Sequence, residues 1–377
     1  MVNSIREYVL SRAAFVPYFI AKFVLSLSVI ANYKYRQNRA NGCGTVLCIE
    51  AGTKGWESIE FKEIYKSAVE YIGEERVVKF EVTCDKDYLQ QINEIIKNRS
   101  ITHYLYDPRT GSQRYLRGLF QSFQIALLLY RNRITPIVLL TDLSLRKWRC
   151  QAATVSSKSG VVVIFISPQK MQPIFPHKRL IGPSLMPFSS KTLDYLDNLA
   201  NYDLQQVQNR CIRFTGSLYE PRTSFLKQLK ISLSKFGYEL EILGRVIGTP
   251  RVSDEEYWKR LSSATIILTT ADQMHQNGTD WIWIPSLVYR YLEVLAAGSL
   301  LMAPSVPGVT RYFTPGVHFV SFNSETDALE KARYYLDHPE EATKIACAGH
   351  TKAIHLIRAN AFWLQIDTAL GYATILP

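Results

Sequence analysis

Glu293 is the residue whose setting most needs a chemical explanation. It stands inside the apolar run Tyr289-Arg-Tyr-Leu-Glu-Val-Leu-Ala-Ala-Gly298, which reads as a helix ended by glycine and followed by Ser-Leu-Leu-Met-Ala-Pro304. A carboxylate in such a helix is costly unless it finds a partner. Two partners suit it. One is Arg290, one turn earlier; the other is the pair of hydroxyls of a ribose, since an ionised carboxylate can accept from both. Three further carboxylates follow strand-like runs in the first half of the chain: Glu50 after 45–49, Asp107 after 103–106 and Asp142 after 136–140. A carboxylate so placed can take a proton from a hydroxyl. Asp107 also opens Asp-Pro-Arg-Thr-Gly111, which is good turn chemistry by itself. His103 and His177 are weaker candidates.

The elements that position these residues alternate. Strands are expected at 45–49, 76–82, 103–106, 137–140 and 160–166, with helices at 56–71 (stopped by Gly73), 86–97 and 112–130. A second alternation begins near residue 210. Its strands are 212–215 (closed by Gly216), 239–243, 265–268, 300–303 and 319–321, and its helices 221–236, 253–262, 287–297, 325–337 and 340–359. Strands and helices in this order imply parallel sheets covered on both faces. The expected fold is α/β: two Rossmann-like doubly wound domains facing across a cleft. The expected division is a helical segment at 1–40, an acceptor domain at 41–200, a donor domain at 201–360 and a tail at 361–377 that packs back on the first domain. Such sheets bind ligands at the carboxyl ends of their strands. That selects the loops 50–55, 107–111, 142–149, 216–222, 244–250 and 304–308.

The chain has 377 residues, 47% apolar and 20% charged, which excludes disordered, collagen-like and disulfide-rich classes. Its net charge of +11 lies wholly in the first part. Residues 1–200 carry 27 Lys and Arg against 16 Asp and Glu, whereas residues 201–377 carry 17 of each. Within 101–150 the balance is 8 against 2. Such an excess suits an anionic partner or a lipid surface; the plain alternative is a solvated basic face. Residues 8–33 are apolar but interrupted by Arg12 and Lys22, and Lys34, Arg36 and Arg39 follow. The pattern suits a helix lying in a membrane interface, or one packed on the protein's own surface, better than a spanning helix. The six scattered cysteines have neither CxxC spacing nor neighbouring histidines, so no metal site or disulfide framework is expected and a cytoplasmic setting follows, peripheral on the inner face of the membrane. No GxGxxG, P-loop or GxSxG motif occurs. Asp85-Lys-Asp87 has a D-x-D form but opens a helix, where capping is the better reading. The loop Asn277-Gly-Thr-Asp280-Trp-Ile-Trp283 suits either a mobile substrate loop or one tucked under the sheet edge. With no recognised nucleic-acid reader motif, no nucleic-acid partner is expected.

The run Arg290-Tyr-Leu-Glu-Val-Leu-Ala-Ala-Gly-Ser-Leu-Leu301 resembles the C-terminal signature of glycosyltransferases with two Rossmann domains (GT-B), most closely the group 1 and spore-maturation-like branch. Phe313-Thr-Pro-Gly-Val-His-Phe-Val320 looks like that family's aromatic-x-Pro-Gly turn and strand, and 328–349 like its two following helices. The resemblance covers about 210–360. It implies transfer of a sugar from a nucleotide-diphosphate donor to a hydroxyl of an anionic glycan or lipid-linked acceptor, with no cofactor or metal. Glu293 would hold the donor ribose, near Arg290 and Gly216. Arg222 and Arg245 would bind the diphosphate, whose developing charge fixed guanidinium groups and helix N-termini stabilise. Many relatives carry a second acidic residue eight positions before Glu293; here that position is Pro285. An inverting transfer needs a base, for which Asp142, Asp107 and Glu50 are the candidates. Asp142 resembles the family's strand-end His-Asp, with Thr141 in place of His. The departure at Pro285 keeps open a non-catalytic nucleotide-sugar or glycan-binding protein on the same fold.

Overall fold

The structure is a computed structural model. It describes residue 20 and residues 46–53, 58–82, 87–110, 115–143, 145–156, 160–172, 179–200, 211–245, 252–270, 286–306 and 308–372. The segment 1–40 (Ile20 apart), Asp85, His177, the aromatic loop 277–283 and the Arg245 side chain lie outside the described residues. Among the described residues no helix is long and apolar enough to cross a membrane. The described residues form two units. One runs to Ser184 and resumes at Ala359; the other lies between Leu185 and Arg358.

In the first unit, β1 (Leu47–Thr53), β2 (Val77–Val82), β3 (His103–Tyr106), β4 (Thr135–Leu140), β5 (Val161–Ile164) and β6 (Leu180–Ile181) pair in the order β2-β1-β3-β4-β5-β6. Every pairing is parallel. β3 and β5 are buried along their whole length, as strands covered on both faces must be. α1 (Ile59–Ile72), α2 (Tyr88–Asn98), α3 (Tyr115–Arg131), α4 (Arg146–Val155) and the short α5 (Pro168–Met171) connect them. Ser58 caps α1 by accepting from the Phe61 N–H, and Gly73, at φ 93°, ends it. Asp87 stands at the N-cap of α2 but makes no side-chain bond to the helix backbone, so the capping expected there is not made.

The second unit contains α6 (Ser190–Leu199), β7 (Ile212–Ser217), α7 (Arg222–Ser234), β8 (Leu240–Arg245), α8 (Asp254–Ser262), β9 (Ile266–Leu268), α9 (Tyr289–Ala296), β10 (Leu300–Pro304), β11 (Val320–Phe322), α10 (Glu325–Asp337) and α11 (Pro339–Leu356). Its strands are ordered β11-β10-β9-β7-β8, again all parallel. Ser253 caps α8 with three acidic residues behind it, and Gly316, at φ 78°, makes the Pro-Gly turn before β11.

Three features differ from the sequence reading. α4 and α6 are helices where loops were expected, and the helical run expected at 340–359 ends at Leu356, the tail beyond it forming a helix of its own. It breaks at Ile357, whose carbonyl accepts from the Phe188 N–H at 2.8 Å, and α12 (Ala359–Leu370) belongs to the first unit. The division falls after Ser184 rather than at residue 200 because α6 packs on α8 and α9, and Phe188 stacks on Tyr289 at 5.0 Å.

Each sheet has one point where successive strands depart in opposite directions: between β1 and β3 in the first, between β7 and β9 in the second. In open α/β sheets the crevice outside the carboxyl ends at that point is the ligand site.

Candidate functional site

In the second unit the crevice between β7 and β9 gathers four of the five residues singled out for a donor, Gly216, Arg222, Arg290 and Glu293. Gly216, the last residue but one of β7, has φ 151°, a conformation that favours glycine. A Cβ there would lie 3.3 Å from the Phe214 ring and 3.7 Å from Arg290 Nη2, so the guanidinium lies beside this strand end. Arg290 reaches this spot from α9, where its Nε pairs with Glu293 Oε2 at 3.1 Å. Glu293 is 5% exposed. The pair with Arg290 is therefore made, and its carboxylate is buried rather than on the helix surface. Arg290 also lies over the Tyr257 ring at 5.1 Å. Burial works against its charge, but Tyr257 and Glu293 outweigh that, and its pKa lies above the ordinary guanidinium value.

Arg222 spans the same crevice. Its Nε donates to Thr270 Oγ1 at 2.6 Å and its Nη1 to the Ser217 carbonyl at 2.9 Å, while the Tyr219 ring lies 4.1 Å beneath it. It thus ties the loop after β7 to the loop after β9 at the first residue of α7. Three polar atoms nearby are buried without a hydrogen-bond partner: Thr269 Oγ1, Ser286 Oγ and Arg290 Nη1. Thr269 and Ser286 are each 2% exposed, and an unmade bond at such a site costs roughly 1–3 kcal/mol. The sequence reading missed both. The strand-end rule that selected other loops applies equally to Thr269-Thr270 after β9 and would have found them.

In the first unit, Glu50 and Asp107 meet at the other switch point. Glu50 is fully buried and accepts from Tyr88 Oη, from Tyr104 Oη at 2.7 Å, from Thr110 Oγ1 and from the Asp107 N–H at 3.1 Å. Burial pushes its pKa up to about 7, against the pull of those four donors. Asp107, also 0% exposed, is held by Arg109 through Nε at 3.0 Å and Nη2 at 2.7 Å, and Arg109 in turn reaches Glu60 at 2.8 Å. Asp107 Oδ1 also accepts from the Arg109 N–H at 2.8 Å, the turn chemistry its sequence suggested. Both carboxylates are consumed inside the unit. Asp142, just beyond β4, is half-buried. His103 is a core residue whose Nε2 lies 2.7 Å from Tyr372 Oη, and burial lowers its pKa to about 4.

The basic stretch 101–150 is not all surface. Arg109 is ion-paired, Arg146 is 6% exposed and Arg149 2%, the last donating from Nη1 to the Leu143 carbonyl. Burial removes these three charges from the outward-facing excess.

The sequence profile of a family described as glycosyl transferase-like matches residues 221–361, which hold α7, α9 and the crevice residues of both. Solved structures extend the likeness across both units. A glycosyltransferase from Rickettsia africae aligns with a TM-score of 0.56 at 12% identity, over 88% of this chain and 100% of its own. This chain has the GT-B glycosyltransferase fold. Anabaena HepE in complex with UDP-glucose aligns with a TM-score of 0.55 at 10% identity, over 87% and 100%. An alpha-glucosyltransferase in complex with UDP-glucose and DNA aligns with a TM-score of 0.56 at 11% identity, over the same shares. No curated protein matches the chain. The DNA complex corrects one expectation. The lack of a reader motif does not exclude nucleic acid, because a protein of this fold sits on DNA.

Proposed function

We propose that the chain transfers a sugar from a UDP-linked donor to an acceptor hydroxyl on a glycan or lipid-linked substrate. One observation carries the reading: the Arg290–Glu293 pair beside Gly216 at the switch point of the second sheet, with Thr269 Oγ1 just after β9 and Ser286 Oγ just before α9 buried without partners. A nucleotide supplies what those groups lack. Ribose hydroxyls donate to Glu293, and diphosphate oxygens accept from Arg290, Arg222 and the first turn of α7. Those donors are fixed before the reaction, so they stabilise the charge that grows on the departing diphosphate without reorganising. Thr269 and Ser286 supply further donors. UDP is the nucleotide bound in two proteins of the same fold, which supports that choice of base.

For an acceptor base, Asp142 is the best placed of the three carboxylates. It follows β4 and is half-buried, whereas Glu50 and Asp107 are fully buried. The test is a panel of UDP-, GDP- and ADP-sugars incubated with the full chain and pooled glycan and lipid-linked acceptors, followed by chromatography. Transfer or hydrolysis of one UDP-sugar is expected. Tight binding of a sugar nucleotide without turnover on any pool would favour a non-catalytic binding protein, and no binding at all would end the proposal.

A further inference from the structure

α3 is apolar on both of its sides. Its inner side, with Leu119, Ile125 and Leu129, is buried in the core of the first unit. Its outer side begins with Leu116, 78% exposed, and Phe120, 63% exposed, the two most exposed large apolar side chains among the described residues. They stand four residues apart and share a face, which half-buried Leu127 continues two turns on. A helix apolar all round is normally covered all round. Here the outer side meets water. The charges bordering it have one sign. α3 carries Arg117 and Arg131, both exposed, and no carboxylate, and Arg133 in the turn after it is exposed as well. α4, which packs on α3, adds Lys147 in its first turn, half-buried, with its ammonium 5.3 Å from the centre of the Trp148 ring.

Exposed Leu and Phe bordered by cations, on a helix free of acids, match an anionic lipid surface: the apolar side chains enter the boundary of the acyl region and the cations meet lipid phosphates. A second copy fits less well, because Arg117, Arg131 and Arg133 would face their own like charges. Position agrees with the charge. α3 leads away from the carboxyl end of β3, so its first turns, with Leu116, Arg117 and Phe120, lie at the rim where open sheets of this kind take ligands. The sequence holds a second stretch of the same character: residues 8–39 are apolar, with Arg12, Lys22, Lys34, Arg36 and Arg39 and no carboxylate. One weak signal binds a membrane reversibly, and two together hold. From this we infer that the outer face of α3 docks on an anionic lipid bilayer, with Leu116 and Phe120 entering it and Arg117 and Arg131 on its phosphates. On the reading under Proposed function, on which this last step rests, the acceptor is lipid-borne and reaches the carboxyl end of the first sheet from the membrane.

The experiment floats the full chain with vesicles of phosphatidylcholine alone, or of phosphatidylcholine and phosphatidylglycerol in equal parts, at low and at high salt. The wild type is expected on the mixed vesicles, less at high salt, and at least about tenfold more weakly on the neutral ones. The double variant Leu116→Ser, Phe120→Ser should bind the mixed vesicles at least about tenfold more weakly. Because both side chains are exposed, its Tm in buffer should stay within about 2 °C of the wild type and its UDP affinity within about twofold. Arg117→Gln should lose about fivefold on the mixed vesicles and nothing on the neutral ones. Should the double variant fold poorly, Phe120→Ser alone should still weaken binding severalfold. The inference is overturned by a wild type that ignores the mixed vesicles, by a double variant that binds them equally well, or by equal binding to neutral vesicles. It is overturned too by a double variant that folds but melts well below the wild type, which would mean that the chain itself covers this face. A wild-type dimer that the double variant abolishes would give the face to a second copy instead. A wild type that binds vesicles but no UDP would count against the donor reading and leave the docking face standing.

Discussion

At the residue scale, Glu50 is held by four donors in a site with no water exposure, and its protonation is linked to folding. Unfolded, it ionises near 4.5; folded, near 7. Between those values the folded protein holds a proton that the unfolded chain has lost, so stability falls as pH rises through that window and levels off above it. The span corresponds to about 3 kcal/mol. Glu50→Gln should flatten that part of the stability–pH curve, measured by urea unfolding from pH 5 to 8; parallel curves for the two proteins would refute the assignment. Thr269 poses the opposite case, a buried hydroxyl with no partner. Thr269→Val should leave the unliganded protein as stable or up to about 1 kcal/mol more stable while weakening UDP-sugar binding. A less stable Val variant with unchanged affinity would mean that the hydroxyl serves the fold.

At the element scale, two close approaches carry the framework. Gly349 on α11 faces the α9 helix that bears Glu293. A Cβ there would lie 2.3 Å from the His318 carbonyl oxygen and 2.8 Å from Leu295 Cδ2. Gly349→Ala should cost about 1–3 kcal/mol in urea unfolding and weaken UDP binding by displacing α9. An unchanged midpoint would show that the contact gives way. α12 closes the first unit: Trp363 Nε1 donates to Ser67 Oγ at 3.1 Å and Tyr71 Oη to Asp367 Oδ2 at 2.6 Å, both on α1 and α12. Trp363→Ala should cost about 3–5 kcal/mol, read from the same unfolding curves.

The same scale shows what a single sequence can carry. The strands were legible because β-branched runs buried on both faces leave a signal of their own, and α8 and α10 because serine caps and acidic first turns mark their starts. α4 was not, because Arg-Lys-Trp-Arg-Cys-Gln has no apolar stripe. Its burial follows from packing on α3 and β4. Glu293 was legible as a costly carboxylate, but the strand end that its partner Arg290 approaches is that of Gly216, 77 residues from Glu293 in the sequence. Glu50 and Asp107 stand at strand ends as a base would. Nothing local to them indicates that Tyr88, Tyr104 and Arg109 use up their oxygens.

For the whole molecule, the charge excess takes on a narrower meaning. The +11 lies in the first part of the sequence, but Arg109, Arg146 and Arg149 are interior, so part of it organises the first unit rather than its outer field. The second part is neutral and holds the profile match and the Arg290–Glu293 pair. The two units share one plan, a ligand crevice at the switch point, and use it differently: the first fills its own with Glu50 and its donors, while the second leaves hydroxyls there without partners. Calorimetric titration of UDP into the full chain and into Glu293→Gln tests this most directly. The variant keeps the shape of the side chain and loses its charge, so UDP should bind the wild type and bind the variant at least about tenfold more weakly, with the two proteins folded alike. Equal affinity in two equally folded proteins would contradict the account.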